Sequence, residues 1–234
     1  MFIVTDLTRF SEGNPNVCTA LIDSNTGRCV RPMPYFTYDV MRRHEIMPGA
    51  KFSGVFTSSM MPGSPHIEDC TFSDMKHHGP ATKADFRNIL MNSSVESVVA
   101  GFGPAAAGGG KVIPLVSPPA CSLITIQVAP SAVFVVEDAY SSKKLKLNFT
   151  DASGAIYRYM PITDLGFHEY AQRLRSESEF DSINLQIHNA SEIFLRVGLS
   201  RPYKAPDGRE GWWIQVNGIY TFPKKIDIVR GYKD

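Results

Sequence analysis

The sequence has little of most features that announce a chemistry. Cysteine is scarce: the 234 residues include four, Cys18, Cys29, Cys70 and Cys121. None forms a C-x-x-C pair, and the density is far below that of a secreted disulfide scaffold. They are read as reduced and structural. Cys18 and Cys29 flank a predicted turn, and in a reducing compartment that proximity signifies packing rather than a bond. Net charge is nearly absent as well, with 24 Lys plus Arg against 23 Asp plus Glu, a formal +1. This excludes a global electrostatic pull toward nucleic acid or anionic membrane and confines any basic surface to a local patch. No stretch approaches the ~20 apolar residues that span a bilayer. The segment Met1 to Asp6 carries neither the basic nor the apolar region of a secretion signal. The expectation is a cytoplasmic protein without a membrane association.

Catalytic signatures are missing too. The histidines His44, His66, His77, His78, His168 and His188 form no H-E-x-x-H and no Cys/His zinc spacing. His77 and His78, following Asp74, come nearest to a metal cluster, but neighbours on an extended segment point to opposite sides. Gly108-Gly109-Gly110-Lys111 is similar to a phosphate loop, yet Ala105 stands where its first glycine belongs and Val112 where Ser or Thr must follow the lysine. Gly101-Phe102-Gly103 lacks the third glycine of a dinucleotide fingerprint, and no G-x-S-x-G elbow occurs. The expectation is a non-enzymatic protein with no catalytic residue, cofactor or metal.

What is present is an ordinary globular composition, 43% hydrophobic and 20% charged, in a length that suits one large β unit or two domains. Val17 to Ile22 and Arg28 to Pro32 flank the polar Asp23 to Gly27 and read as a hairpin, with Pro32 and Pro34 closing its second strand. A helical turn within 36–46 and a turn at Pro48-Gly49 follow. The run Lys51 to Thr57 alternates imperfectly around Gly54, the mark of a bulge. Met60 to Pro65 is a loop and His66 to Phe72 a strand. Residues 82–100 read as a helix with Thr82 as N-cap. Gly101 to Gly110 is small-residue and low-complexity, expected to be a flexible loop, and Pro114 to Pro119 is the expected domain boundary.

In the second half, Ser122 to Val128 and Ala132 to Val136 are β-branched runs. Lys144 to Thr150 alternates strictly, with Leu145, Leu147 and Phe149 on one face. The turn Asp151 to Gly154 returns it through Ala155 to Met160 as a second hairpin. Residues 163–175 are an amphipathic helix, and Glu192 to Gly198 and Gly211 to Val216 form a last pair around the loop Ser200 to Glu210. Many short strands with few helices favour barrels or sandwiches over a parallel α/β sheet.

Three segments carry a resemblance: Gly27 to Pro32, the Leu145 to Tyr159 hairpin with Pro161 to Asp164, and Phe194 to Tyr203 leading through a glycine-containing loop to Gly211-Trp212-Trp213-Ile214. Together they resemble the bacterial dual OB-containing domain family over nearly the whole chain. The resemblance implies an all-β fold with minor helices, built as two tandem OB-type barrels, here 1–117 and 118–234, and a role in binding nucleic acid or a nucleotide-like ligand.

A groove for single-stranded nucleic acid needs aromatic faces for stacking and Lys or Arg for phosphates. Arg196, Arg201, Lys204, Arg209, Lys224 and Lys225 interleave with Tyr203, Trp212, Trp213 and Tyr220. Because neighbouring strand residues face oppositely, one of Trp212 and Trp213 is core and the other faces outward, unless the Ser200 to Glu210 loop covers it. Lys143, Lys144 and Lys146, with Arg158 across the hairpin, form either a phosphate track or a solvated, aggregation-guarding strand face. Arg28 and Arg31 belong to the same groove or pair with Asp23 and Asp39. The leading expectation is single-stranded DNA or RNA binding. A protein-interaction module, and a sensor of a nucleotide-like ligand with 101–110 as its lid, are the alternatives.

Overall fold

The computed structural model describes residues 1–138, 144–177 and 179–224. Lys143 and Lys225 therefore lie outside the described residues. Along the first half run β1 (Phe2–Arg9), β2 (Asn16–Asp23), β3 (Cys29–Pro32), β4 (Phe36–Thr37), α1 (Tyr38–Arg43), β5 (Ala50–Ser58), β6 (Asp69–Pro80) and α2 (Lys83–Asn92). Five strands close a barrel in the order β1-β5-β6-β3-β2 and back to β1. Every neighbour is antiparallel except β3 and β6, which run parallel. The predicted hairpin is β2 and β3, with Leu21 opposite Val30 and Ile22 opposite Cys29. Cys18 lies opposite Thr8 on β1 instead, so the two thiols do not face one another, and all four cysteines are free. Gly54 sits where the β5–β6 register shifts between Ser53 and Val55. That bulge bends the strand around the barrel. Thr82 caps α2 by accepting a hydrogen bond from the Asp85 N–H at 3.0 Å, and the helix ends at Ser93.

From there the chain leaves the first barrel. β7 (Ser94–Val95), α3 (Val98–Phe102), a 3-10 helix (Pro104–Gly109) and β8 (Val112–Ile113) precede β9 (Leu123–Val128), a 3-10 turn (Pro130–Ala132), β10 (Val133–Asp138), β11 (Lys144–Thr150) and β12 (Ile156–Pro161). α4 (Leu165–Ser176), α5 (Asp181–His188), β13 (Glu192–Leu199), β14 (Tyr203–Lys204) and β15 (Glu210–Phe222) complete the described chain. β10, β11 and β12 form a meander, and a second sheet has the order β14-β15-β13-β9-β7, with β8 also on β15. The turn between β9 and β10 links the two sheets. A parallel bridge from Ile162 to Val216 joins them again, with the Thr163 N–H donating to the Val216 carbonyl at 2.8 Å. One apolar core, including Ile126, Val135, Leu147, Phe149, Tyr157 and Val197, fills the space between them.

The small-residue segment 101–110 is packed helix rather than flexible loop. Ala106 is fully buried and its carbonyl accepts from the Tyr157 hydroxyl at 3.1 Å. Gly101 and Gly109 are there because α3 and the 3-10 helix lie directly on strands. A Cβ on Gly101 would press on the Ile124 side chain at 2.7 Å. One on Gly109, at a left-handed φ of 72°, would collide with the Ile156 carbonyl. Composition signalled flexibility where the cause is close approach. Residues 94–113 pair and pack with the second half, β7 on β9 and β8 on β15.

The halves are joined by a buried polar seam. Arg196 on β13 donates to Asp6 on β1 at 2.9 Å and to Thr125 at 2.9 Å. Glu68 accepts from the backbone and hydroxyl of Ser122 at 2.9 and 2.7 Å. Arg31 bonds Ser122 at 3.1 Å and Asp69 at 2.6 Å, so its partners are Glu68 and Asp69 rather than Asp39. Beside the seam, Ile3, Ile22, Phe86, Phe194, Tyr220 and Phe222 form a core shared by both halves.

Candidate functional site

The sequence-derived surface residues divide sharply. Arg196 is 1% exposed and paired with Asp6; it is a seam residue, and its expected contact with a surface ligand is corrected. Trp212 is 4% exposed, lies opposite Ile113 and belongs to the core. It too is withdrawn from the surface, because Trp213 is the outward member of the pair. Lys144, Lys146 and Arg158 line the outer side of the β11–β12 hairpin, Lys144 and Arg158 exposed and Lys146 half-buried. Tyr203, Lys204 and Arg201 are exposed on the loop between β13 and β15.

Tertiary structure adds partners to each group. A cavity of about 750 Å³ lies where the end of β1 meets β11, β12 and α4, and Lys144 and Lys146 line it with Arg9, Phe10, His168 and Arg175. Arg9 is held there because its backbone N–H donates to the Thr163 carbonyl at 2.9 Å. Asp164, next in the chain, caps α4 through the Phe167 N–H at 3.1 Å and accepts from the Ile219 N–H at 2.9 Å. That residue therefore fixes the angle between α4 and β15, and with it the wall of the cleft. Glu12 also lines the cleft, and Arg175 shares its charge with Glu137 at 3.5 Å. Cations still outnumber carboxylates.

The electrostatics record the crowding. Burial pushes the Lys146 ammonium below its usual range; Asp138 opposes this, while the like charges of Lys111 and Lys144 add to it. Lys111 is lowered in turn by burial and by Arg209, again against Asp138. His168 is pushed down to about 4 by burial and by the positive charges of Arg9 and Arg175, so it is neutral at pH 7. A bound anion would relieve all three.

The same pairings carry the surface across the second half. The Lys111 ammonium sits 5.6 Å above the Tyr159 ring, and the Arg209 guanidinium 4.9 Å above Trp213. Tyr203 packs edge-on to Trp213 with centroids 6.2 Å apart. Tyr159 is turned outward, 45% exposed, by a bulge at a left-handed φ of 55°. Its N–H donates to the Asn148 side chain at 2.7 Å, which holds that strained backbone. On the other flank Arg201 binds Asp69 at 2.8 Å and donates to the Tyr35 hydroxyl at 3.2 Å. Tyr35 in turn packs on Phe10, centroids 5.0 Å apart.

Arg9, Phe10, Tyr35, Lys111, Tyr159 and Arg175 were not legible as site residues, since nothing in their local sequence signals that the fold gathers them. Lys111 attracted notice only as the lysine of a failed phosphate loop. Among the described residues no group of three or more His, Cys, Asp and Glu is placed to hold a metal ion, and no helix is long and apolar enough to cross a membrane. The buried thiols Cys18 and Cys29 are pushed up by burial to about 11 and about 12, which leaves them protonated and unreactive. No protein-family model, curated protein or solved structure matches the chain.

Proposed function

We propose that this chain is a non-enzymatic, cytoplasmic binding protein for single-stranded nucleic acid. The observation that carries the reading is the strip of alternating cations and aromatics from Arg9 and Phe10 through Lys144, Lys146 and Lys111 to Tyr159, Arg209, Trp213 and Tyr203. Phosphates need the former and base faces the latter. Strand order supports it. The first-half barrel, with its one parallel closure between β3 and β6, has the connectivity of an OB barrel. The second half follows the same plan if β9 and β10 are the two arms of one bent strand, β11 and β12 the next two, and the Ile162 to Val216 bridge the parallel closure. OB barrels bind oligonucleotides on the second and third strands and on the loops after the first and fourth. In this reading those are β11, β12 and the 200–209 loop, where the cations and aromatics cluster. We place the boundary between the two barrels near residue 93, where β7 begins to pair with β9.

Fluorescence anisotropy with labelled single-stranded DNA and RNA tests it. Four cleft cations give a log-log salt slope of at most about −3 for single strands. Replacing Lys144 and Lys146 with Glu weakens binding by about tenfold or more. Absence of binding at low salt refutes the proposal, and binding that ignores both salt and the double substitution moves the site elsewhere.

A further inference from the structure

A second cavity, of about 400 Å³, opens on the first barrel between α1 and the strands β5 and β6. Its wall is apolar and largely aromatic: Phe36, Phe52 and Phe72 with Met75, Val40 and Ile46. Phe36 meets Phe72 edge-on at 5.2 Å, and the His77 ring lies on Phe52 at 5.1 Å with 30° between their planes. At the mouth stand His44 and the His77 imidazole, whose Nδ1 lies 3.3 Å from Glu45. Tyr35 lines this cavity, Phe10 lines the basic cleft, and the two rings are in contact. One aromatic pair thus separates a cation-lined cleft from an apolar pocket.

We infer that this pocket is a nucleobase subsite, which receives one unstacked base of a strand whose phosphates occupy the neighbouring cleft. The size lies within the range of small-ligand sites, about 300–1,000 Å³. Apolar and aromatic walls are what an extruded base requires, with hydrogen-bonding groups confined to the edge it presents. The imidazoles at the mouth supply such groups. An aliphatic ligand would make no use of them, nor of a polyanion cleft beyond the aromatic gate. The inference rests on the nucleic-acid reading above for the phosphate half of the ligand, and on the pocket alone for the base.

The test fills the pocket without removing a wall. Val40→Trp, with Val40→Phe as the smaller alternative should the first fail to fold, is compared with the parent in binding a DNA 12-mer and the same 12-mer made abasic. In parallel, adenosine and uridine are titrated while the Met75 methyl resonance, assigned with Met75→Leu, is followed by NMR. The expected result is a nucleoside-dependent methyl shift that the filled variant lacks, together with about tenfold weaker binding of the intact 12-mer by that variant. Affinity for the abasic strand should be unchanged. A Met75 methyl that ignores millimolar nucleoside, with equal 12-mer affinity for parent and filled variant, overturns the subsite and leaves the cleft reading standing. Failure of either strand to bind at low salt refutes the cleft reading instead, and the methyl response still decides the pocket.

Discussion

Replacing Arg196 with Met isolates what the seam between the halves contributes. The guanidinium is buried, donates to Asp6 and Thr125, and points its third nitrogen at the Cys29 sulfur at 3.5 Å. Removing it leaves the Asp6 carboxylate buried, with only the Thr5 hydroxyl among the described side chains still donating to it, at 2.8 Å. Breaking one side of a buried pair costs about 3–5 kcal/mol, because the orphaned charge keeps its desolvation penalty. Against a total stability of about 5–15 kcal/mol, that is a large share. For a chain of this size each kcal/mol moves Tm by about 2–4 °C, so Arg196→Met should lower it by about 6–20 °C. Adding Asp6→Leu removes the orphan and should recover most of the loss. Urea unfolding followed by Trp fluorescence measures both variants. Strand affinity, taken where the variant is folded, should equal the parent's. A stability loss below about 1 kcal/mol, or no recovery in the double variant, refutes the seam argument. A full-stability variant with weakened strand binding would return Arg196 to the interface.

Further outcomes follow from the same geometry. His66 is 2% exposed, and burial with the charges of Arg31 and Arg201 pushes it down to about 4. The unfolded chain takes up a proton near pH 6.5 that the folded chain refuses, so the contribution of His66 should fall by about 3 kcal/mol as the pH drops from about 6.5 to about 4. His168 adds to the loss in the same window, and Asp69, held low against burial by Arg201 and Arg31, extends it to lower pH. Chemical denaturation across that range checks it, and a flat profile contradicts it. His168, held down by Arg9 and Arg175, should titrate higher once a polyanion fills the cleft, which NMR of its ring protons in the presence of polyphosphate would read. Gly109→Ala should cost at least about 2 kcal/mol, since it combines a left-handed φ with a clash on Ile156; an unaffected Tm would mean the 3-10 helix can lift off β12.

Much of the local structure was dictated by the sequence itself. Alternation of Leu145, Leu147 and Phe149 against Lys144 and Lys146 specifies β11, because only one register buries the apolar set. Thr82 as an N-cap and Gly54 as a bulge follow from side-chain and backbone preferences that act within a few residues. What only tertiary structure decided is long-range. Trp212 and Trp213 are chemically alike, and β8 pairing onto β15 settles which one is buried. Arg196 and Lys146 both read as basic strand residues, and the difference between a seam and a surface depends on Asp6, 190 residues away in the chain. The run Gly101 to Gly110 has the composition of a linker, yet its small side chains serve the contact with Ile124 and Ile156. A cationic surface assembled from Arg9, Lys111, Lys146 and Arg209 has no signature along the chain, because electrostatic proximity is a property of the folded chain and not of sequence spacing.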